Sequence, residues 1–247
     1  MAPTLVLLHG FTHTGASWAP VLAELGERYR GIAPDLRGHG AASDREPVTL
    51  EAVLGDLDSL APERFGLAGY SMGGRLALHL ALAHPDRVER LVLIGASPGI
   101  ADRAEREDRR QADEELAGEL ERSSIEEFAD RWATTPVLAG QPAKVLATVR
   151  ADRLRSSPGG LARALRGLGT GALPSLWDRL SELQMPVTLI VGERDLKFQE
   201  IAEQMAYELP RAKVVVVAGA GHAVHLEAPG RAAEVVGGGP PRSVEPR

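Results

Sequence analysis

Residues 67–75 read LAGYSMGGR, an apolar run that ends in Ser71, held between Gly69 and Gly73 and followed one helical turn later by Arg75. The segment Gly69-Tyr70-Ser71-Met72-Gly73 fits G-x-S-x-G, with a strand-like run before it and a helix-like run after it. A sharp strand-to-helix turn that presents a serine needs small neighbours, because the serine backbone is strained and the flanking chain packs closely. A serine that merely caps the following helix is an equal reading of these five residues. The remainder of the chain decides between the two.

A serine hydroxyl becomes a nucleophile or a base only beside a histidine that takes its proton, and that histidine needs an acid to orient it. The run VTLIVGERD places Asp195 at a strand end, and KVVVVAGAGH places His222 in a glycine-flanked loop after the next strand. His225 is the competing base and reads as a packing or helix-start residue. Asp35, in APDLRGHG, is the competing acid and reads as a residue that fixes its own loop. His9-Gly10-Phe11 closes the first strand-like run, so the backbone N–H groups of Phe11 and Met72 are candidates to converge on a developing negative charge.

Around this constellation, TLVLLHG, RGIAPDL, RFGLAGYS, RLVLIGAS, VTLIVGERD and KVVVVAGAGH alternate with helical patterns such as SWAPVLAELGER and GGRLALHLALAHPDRV. Continuous apolar runs separated by helices predict an α/β fold, a mostly parallel sheet buried by helices on both faces. The rhythm breaks across 98–177, which carries charged helical patterns and no strand-like run, so this stretch is predicted to be a helical lid insertion. The core is then 1–97 with 178–236, and the Gly/Pro-rich tail 237–247 is expected to be disordered.

Composition narrows the function classes. The 247 residues suit one domain, and the absence of cysteine excludes disulfides and thiolate metal sites. No basic leader with a cleavage pattern and no apolar stretch of spanning length is visible, so a cytoplasmic protein without a membrane partner is expected. A net charge of −6 argues against a nucleic-acid partner. No cluster suited to a metal stands out, and the oligomeric state is not readable from the chain.

With matches from LLHGF through PDLRGHG, GYSMGG and PDRVERLVLIGASPG to GERD and GAGHAVHLEAP, the chain resembles the α/β-hydrolase superfamily, which fits the order Ser, Asp, His. A serine at position 71 disfavours the superfamily's dehalogenase and epoxide-hydrolase chemistry, which places a carboxylate there. Fold membership does not name a reaction. Arg75 bears on that question, because its helix is apolar nearly all round at Leu76, Ala77, Leu78 and Leu80. A buried arginine needs an acidic side chain or an acidic substrate. The lid adds Arg103, Arg106, Arg109, Arg110, Arg150, Arg153 and Arg155, most of them expected to be solvated or paired, with any inward ones available as planar carboxylate clamps.

The segments GYSMGGR, ASPGI, RRQAD, FADRWATTPVL, RLRSSPGGLARALRGLGTGALPSLWDRL and GERDLKF resemble the 2-succinyl-6-hydroxy-2,4-cyclohexadiene-1-carboxylate synthase family of menaquinone biosynthesis, over nearly the whole chain. That resemblance implies Ser71, Asp195 and His222 as the triad and Arg75, Arg109 and Arg153 as carboxylate-binding residues. It also implies Tyr70 and Trp132 in the pocket wall and an oxyanion hole from Phe11 and Met72. The implied activity is a lyase eliminating pyruvate from a small substrate with three carboxylates, with Ser–His as general base and no metal or organic cofactor. Two alternatives stay open: a serine hydrolase, either a carboxylesterase or a carbon–carbon bond hydrolase, acting on a small acidic substrate, and a non-enzymatic ligand receptor on the same fold. The chain departs from the superfamily pattern in a reduced N-terminal hairpin and a short final helix, which bear on stability more than on chemistry.

Overall fold

Leucine- and valine-rich runs form six strands, β1 (Thr4–Leu8), β2 (Arg30–Ile32), β3 (Phe65–Tyr70), β4 (Val88–Ile94), β5 (Val187–Gly192) and β6 (Ala212–Val217). Between and after them lie helices α1 (Ala19–Leu25), α2 (Leu50–Leu60), α3 (Met72–Ala83), α4 (Arg103–Arg122), α5 (Ile125–Trp132), α6 (Ala143–Arg153), α7 (Pro158–Leu168), α8 (Leu196–Glu208), α9 (Val224–Glu227) and α10 (Pro229–Val236). The computed structural model describes residues 2–138 and 140–238, so the disorder expected of the tail concerns, from 239 onward, residues outside those described.

All the strand pairings are parallel, in the order β2-β1-β3-β4-β5-β6. The chain therefore runs outward from β1 to β2, then crosses to the other side of β1 to lay down β3. At such a switch point the connections leave the neighbouring carboxyl ends in opposite directions and open a crevice there. Register brings Leu8 level with Gly69, and Tyr70 level with Ile94, so the ends of β1, β3 and β4 meet at that crevice.

Side chains alternate between the two faces of the strands. Val6, Leu8, Leu67, Leu91, Leu93, Leu189 and Val191 pack on one face against α2, α3 and α8 through Leu57, Leu76, Leu80 and Met205. Leu5, Leu7, Ala68, Val92, Ile94 and Ile190 pack on the other against α1 and α10 through Val21, Leu25, Ala232 and Val236. This burial on both faces is why the runs are continuously apolar.

Two local readings differ from the sequence expectation. RGIAPDL forms a strand only as far as Ile32. Pro34 has no N–H to give a ladder, and the Asp35 carboxylate instead accepts the N–H groups of Gly15 and Ala41, both at 2.8 Å, which bends this segment into a loop. Helix α2, not singled out in the sequence, begins where the Thr49 side chain accepts the Ala52 N–H at 3.3 Å.

Between β4 and β5 the described residues form helices and turns without a strand. Helix α4 starts at Asp102, which accepts the Glu105 N–H, and α5 starts at a reciprocal Ser124–Glu127 cap. Ala117, Leu120, Phe128, Leu161 and Leu165 make an apolar cluster of their own, but Ala164 and Leu168 of α7 belong to the main core. Helix α7 thus ties this segment to the sheet. None of the helices among the described residues is long and apolar enough to cross a membrane.

Leu76, fully buried on α3, measures the coupling between the sheet and the helix that follows Ser71. Leu76→Ala is predicted to lower unfolding free energy by about 2–5 kcal/mol, read from urea denaturation with an unchanged m-value.

Candidate active site

Ser71 occupies the turn between β3 and α3 with φ 51° and ψ −112°, a left-handed conformation that a side chain rarely adopts. Thr12, just past the end of β1, is the other non-glycine residue with positive φ among those described. Strained backbone is therefore concentrated at the two strand ends that flank the switch point. The glycines of the motif have a steric cause. A Cβ on Gly69 would lie 2.4 Å from the Gly73 carbonyl oxygen, and one on Gly73 would lie 2.3 Å from the Leu8 oxygen and 2.5 Å from the His9 oxygen. No side chain fits at either position, so α3 can start this close to β1 only with glycine there.

Two distant loops bring their side chains to this turn. His222 Nε2 is 3.3 Å from Ser71 Oγ, and its Nδ1 is 2.6 Å from Asp195 Oδ2, with His222 and Asp195 both buried. The carboxylate fixes the proton on Nδ1, leaving Nε2 as the acceptor that faces the serine. The rings of Tyr70 and Phe198 pack on His222 at centroid distances of 5.2 and 4.6 Å and hold its plane. Met72 opens α3, where the first N–H groups have no acceptor inside the helix.

A cavity of about 900 Å³ opens beside Ser71 and His222, walled in part by Phe11, Met72, Arg75, Arg109, Trp132 and Lys197. Arg75 is buried, its Nη1 donates to Thr170 Oγ1 at 2.7 Å, and its Nε has no partner among the described residues. Burial, followed by the nearby charge of Arg109, pushes its pKa down to about 10, so it stays protonated near neutral pH. Arg109 donates Nε to Asp113 at 2.8 Å.

Arg153 and Tyr70 stand elsewhere. Neither is part of that cavity wall: Arg153 is 1% exposed, donates Nε to Thr12 at 3.2 Å and has both Nη atoms buried without a partner among the described residues, while Tyr70 packs between the rings of His13, His222 and His225. Burial lowers the pKa of Arg153 to about 10 and holds the Tyr70 phenol neutral, well above its usual value. Other arginines between β4 and β5 make ordinary surface pairs, Arg110 with Glu107 and Arg150 with Asp130.

A model of the α/β hydrolase family matches residues 5–235. The chain belongs to the α/β hydrolase family. Within it, a putative 2-succinyl-6-hydroxy-2,4-cyclohexadiene-1-carboxylate synthase of Bacillus subtilis is 38% identical over 235 residues, covering 91% of this chain and 85% of that protein. The structure of MenH from S. aureus superposes with a TM-score of 0.91 at 33% identity, covering 96% of this chain and 93% of that one. A thermophilic esterase from Thermogutta terrifontis, with malate bound, superposes with a TM-score of 0.83 at 28% identity, covering 96% and 88%.

Among the polar residues around this α/β hydrolase site, Asp152, Thr170 and Asp113 carry no sequence signal of their own, whereas His9 and His225 stand in the strand-end and loop patterns noted above. His9 accepts the Leu36 N–H on Nε2 at 2.9 Å and so pins the end of β1 to the loop after β2. Asp152 accepts the Thr14 N–H at 2.9 Å, while Thr170 and Asp113 meet the arginines described above. His225 is fully buried among Trp18, Tyr70 and His13, with neither ring nitrogen partnered among the described residues.

If Asp195 orients the base, Asp195→Asn lowers kcat by something on the order of 10⁴-fold while leaving the circular dichroism spectrum unchanged. Burial also holds His9 down to about 4, and His39 and His225 to about 3, against 6.5 in the unfolded chain. Between those values the unfolded chain binds protons that the folded one refuses. Stability is therefore complete above about pH 6.5 and declines toward pH 4, by up to ~1.4 kcal/mol per pH unit for each histidine. Urea unfolding at several pH values between 7 and 5 checks this, and His225→Leu is expected to flatten the slope by one histidine's share.

Proposed function

We propose that this enzyme removes pyruvate from 2-succinyl-5-enolpyruvyl-6-hydroxy-3-cyclohexene-1-carboxylate to give 2-succinyl-6-hydroxy-2,4-cyclohexadiene-1-carboxylate. The observation that carries the reading is Arg75, buried one helical turn from Ser71, lining the cavity with Arg109 and lacking a carboxylate within salt-bridge distance among the described residues. The wall also carries Asp102, Glu105 and Lys197, and Arg109 is paired with Asp113, so it is Arg75 whose charge is left for an anionic group of the substrate to offset. The names of the relatives above point to the same substrate. In this reading residues 98–177 form the lid, the enzyme works in the cytoplasm, and its reaction draws on neither a metal nor an organic cofactor.

In this reading the site residues act as follows. His222, oriented by Asp195, draws the proton from Ser71, whose oxygen takes the acidic hydrogen on the ring carbon next to the succinyl ketone. The electrons of that C–H bond enter the ketone, and the N–H groups of Phe11 and Met72 stabilise the enolate oxygen. As the ketone re-forms, electrons pass through the ring double bond and break the bond to the enolpyruvyl oxygen, giving the conjugated diene. The departing enolate of pyruvate takes up a proton at carbon. Trp132, stacked on Phe128 at 5.6 Å and edge-on to Phe11 at 5.4 Å, keeps water from this side of the cavity. Arg153, which the resemblance implies as a carboxylate-binding residue, lies enclosed outside this cavity wall with its Nε on Thr12 and is given no substrate contact, while Tyr70 supports the histidine from behind. The triad geometry and the malate-bound esterase favour hydrolysis of a small acidic ester as the second reading.

Pyruvate release, followed with a coupled dehydrogenase, separates the two when a p-nitrophenyl ester is run in parallel. Pyruvate with little ester cleavage supports elimination, whereas ester cleavage without pyruvate supports the hydrolase. Ser71→Ala is predicted to reduce kcat at least ~10³-fold with KM nearly unchanged, and Arg75→Ala to raise KM and lower kcat together. Turnover by Ser71→Ala equal to the parent would sink the mechanism.

A further inference from the structure

Two arginines grip one anion well only if their guanidinium groups stay at a set spacing, because long side chains otherwise spread over many rotamers. Arg75 comes from α3 and Arg109 from α4, and their like charges oppose each other across the cavity wall. What holds them is a short polar path through the segment after α7. Asp113, buried on α4, accepts Arg109 Nε on Oδ1 at 2.8 Å and the Gly171 N–H on Oδ2 at 3.3 Å. The residue beside Gly171 is Thr170, whose Oγ1 accepts Arg75 Nη1 at 2.7 Å.

This segment has little freedom. The Ala172 and Leu173 N–H groups both donate to the Gly169 carbonyl, at 3.1 and 3.2 Å. A Cβ on Gly171 would stand 2.3 Å from the Arg110 nitrogen, so the turn lies directly against α4. Asp113 approaches Arg109 at Nε, and the Arg109 Nη groups have no partner among the described residues, which leaves them for a ligand. The Asp113 charge also offsets part of the repulsion between the two guanidinium groups.

We propose that Asp113 and Thr170 are positioning residues, a bracket that fixes the spacing of Arg75 and Arg109 so that the pair grips a carboxylate-bearing arm of the substrate. The inference rests on the polycarboxylate reading above.

The test uses the full chain, with Thr170→Val removing the hydroxyl at nearly constant volume and Thr170→Ser retaining it. For pyruvate release, Thr170→Val is expected to raise KM at least ten-fold with a smaller change in kcat, and Thr170→Ser to restore KM to within about three-fold of the parent. In an Arg75→Ala background, Thr170→Val is expected to add less than two-fold, because its partner is gone. Asp113→Asn, which turns one carboxylate oxygen into a donor facing another donor, is expected to raise KM as well. Calorimetric titration of 2-oxoglutarate into the same proteins reads the bracket separately from turnover, with Kd expected to rise at least ten-fold in Thr170→Val. Unchanged KM and Kd in Thr170→Val, or its full penalty persisting without Arg75, overturns the bracket. A parent that binds 2-oxoglutarate but releases no pyruvate overturns the elimination reading and leaves the bracket to be judged on Kd.

Discussion

The structure depends on the contact between the first turn of α3 and the end of β1, where Gly73 meets the carbonyl oxygens of Leu8 and His9 with no room for a Cβ. That approach forces the chain through a left-handed turn at Ser71, and it sets the serine at the mouth of the crevice between β1 and β3. The cost of the strained residue is met by the leucines of α3, which pack on a sheet face already defined by Leu8, Leu67 and Leu93. Without the close contact, Met72 N–H, Ser71 Oγ and the loop after β1 would not share one cavity.

Electrostatics then divides the interior into two regions. On the cavity side, Arg75 stays protonated near neutral pH without a direct carboxylate pair among the described residues, and Thr170 and Asp113 hold Arg75 and Arg109 in place. Behind Ser71, His222 and Asp195, His9, His39 and His225 are kept neutral by burial, and Tyr70 is kept from ionising. A low-dielectric backing strengthens the Asp195–His222 hydrogen bond and keeps competing bases out of reach of solvent. Arg153 lies at the boundary, bonded through Nε to strained Thr12, with its Nη groups unpartnered among the described residues.

Much of the scaffold is readable before any coordinates. The apolar runs from Leu5 to Leu8 and from Leu67 to Tyr70 show burial on both faces, and the Ser71, Asp195 and His222 positions each follow a strand. These signals are local, since a strand or helix writes its periodicity into a few consecutive residues. RGIAPDL misled because an apolar run does not reveal that the Asp35 carboxylate will claim two loop N–H groups and end the strand early. Thr170 and Asp113 carry no local signal for a similar reason: a single threonine or an acid within a charged helix has the pattern of solvated surface.

The sequence by itself determined the α/β alternation, the glycine-fenced turn at Ser71 and the order of the three polar side chains, because each follows from sterics or burial within one element. Only the tertiary structure decided which cations face the cavity and which stand behind it. His222 reaches Ser71 across 151 positions and Thr14 reaches Asp152 across 138, so such meetings depend on how several loops pack at once. The same packing turned Tyr70 toward the buried histidines, enclosed Arg153, and placed Arg75 within reach of Thr170. Side-chain direction at a crevice is fixed by neighbours distant in sequence, and no residue pattern along one strand or helix contains it.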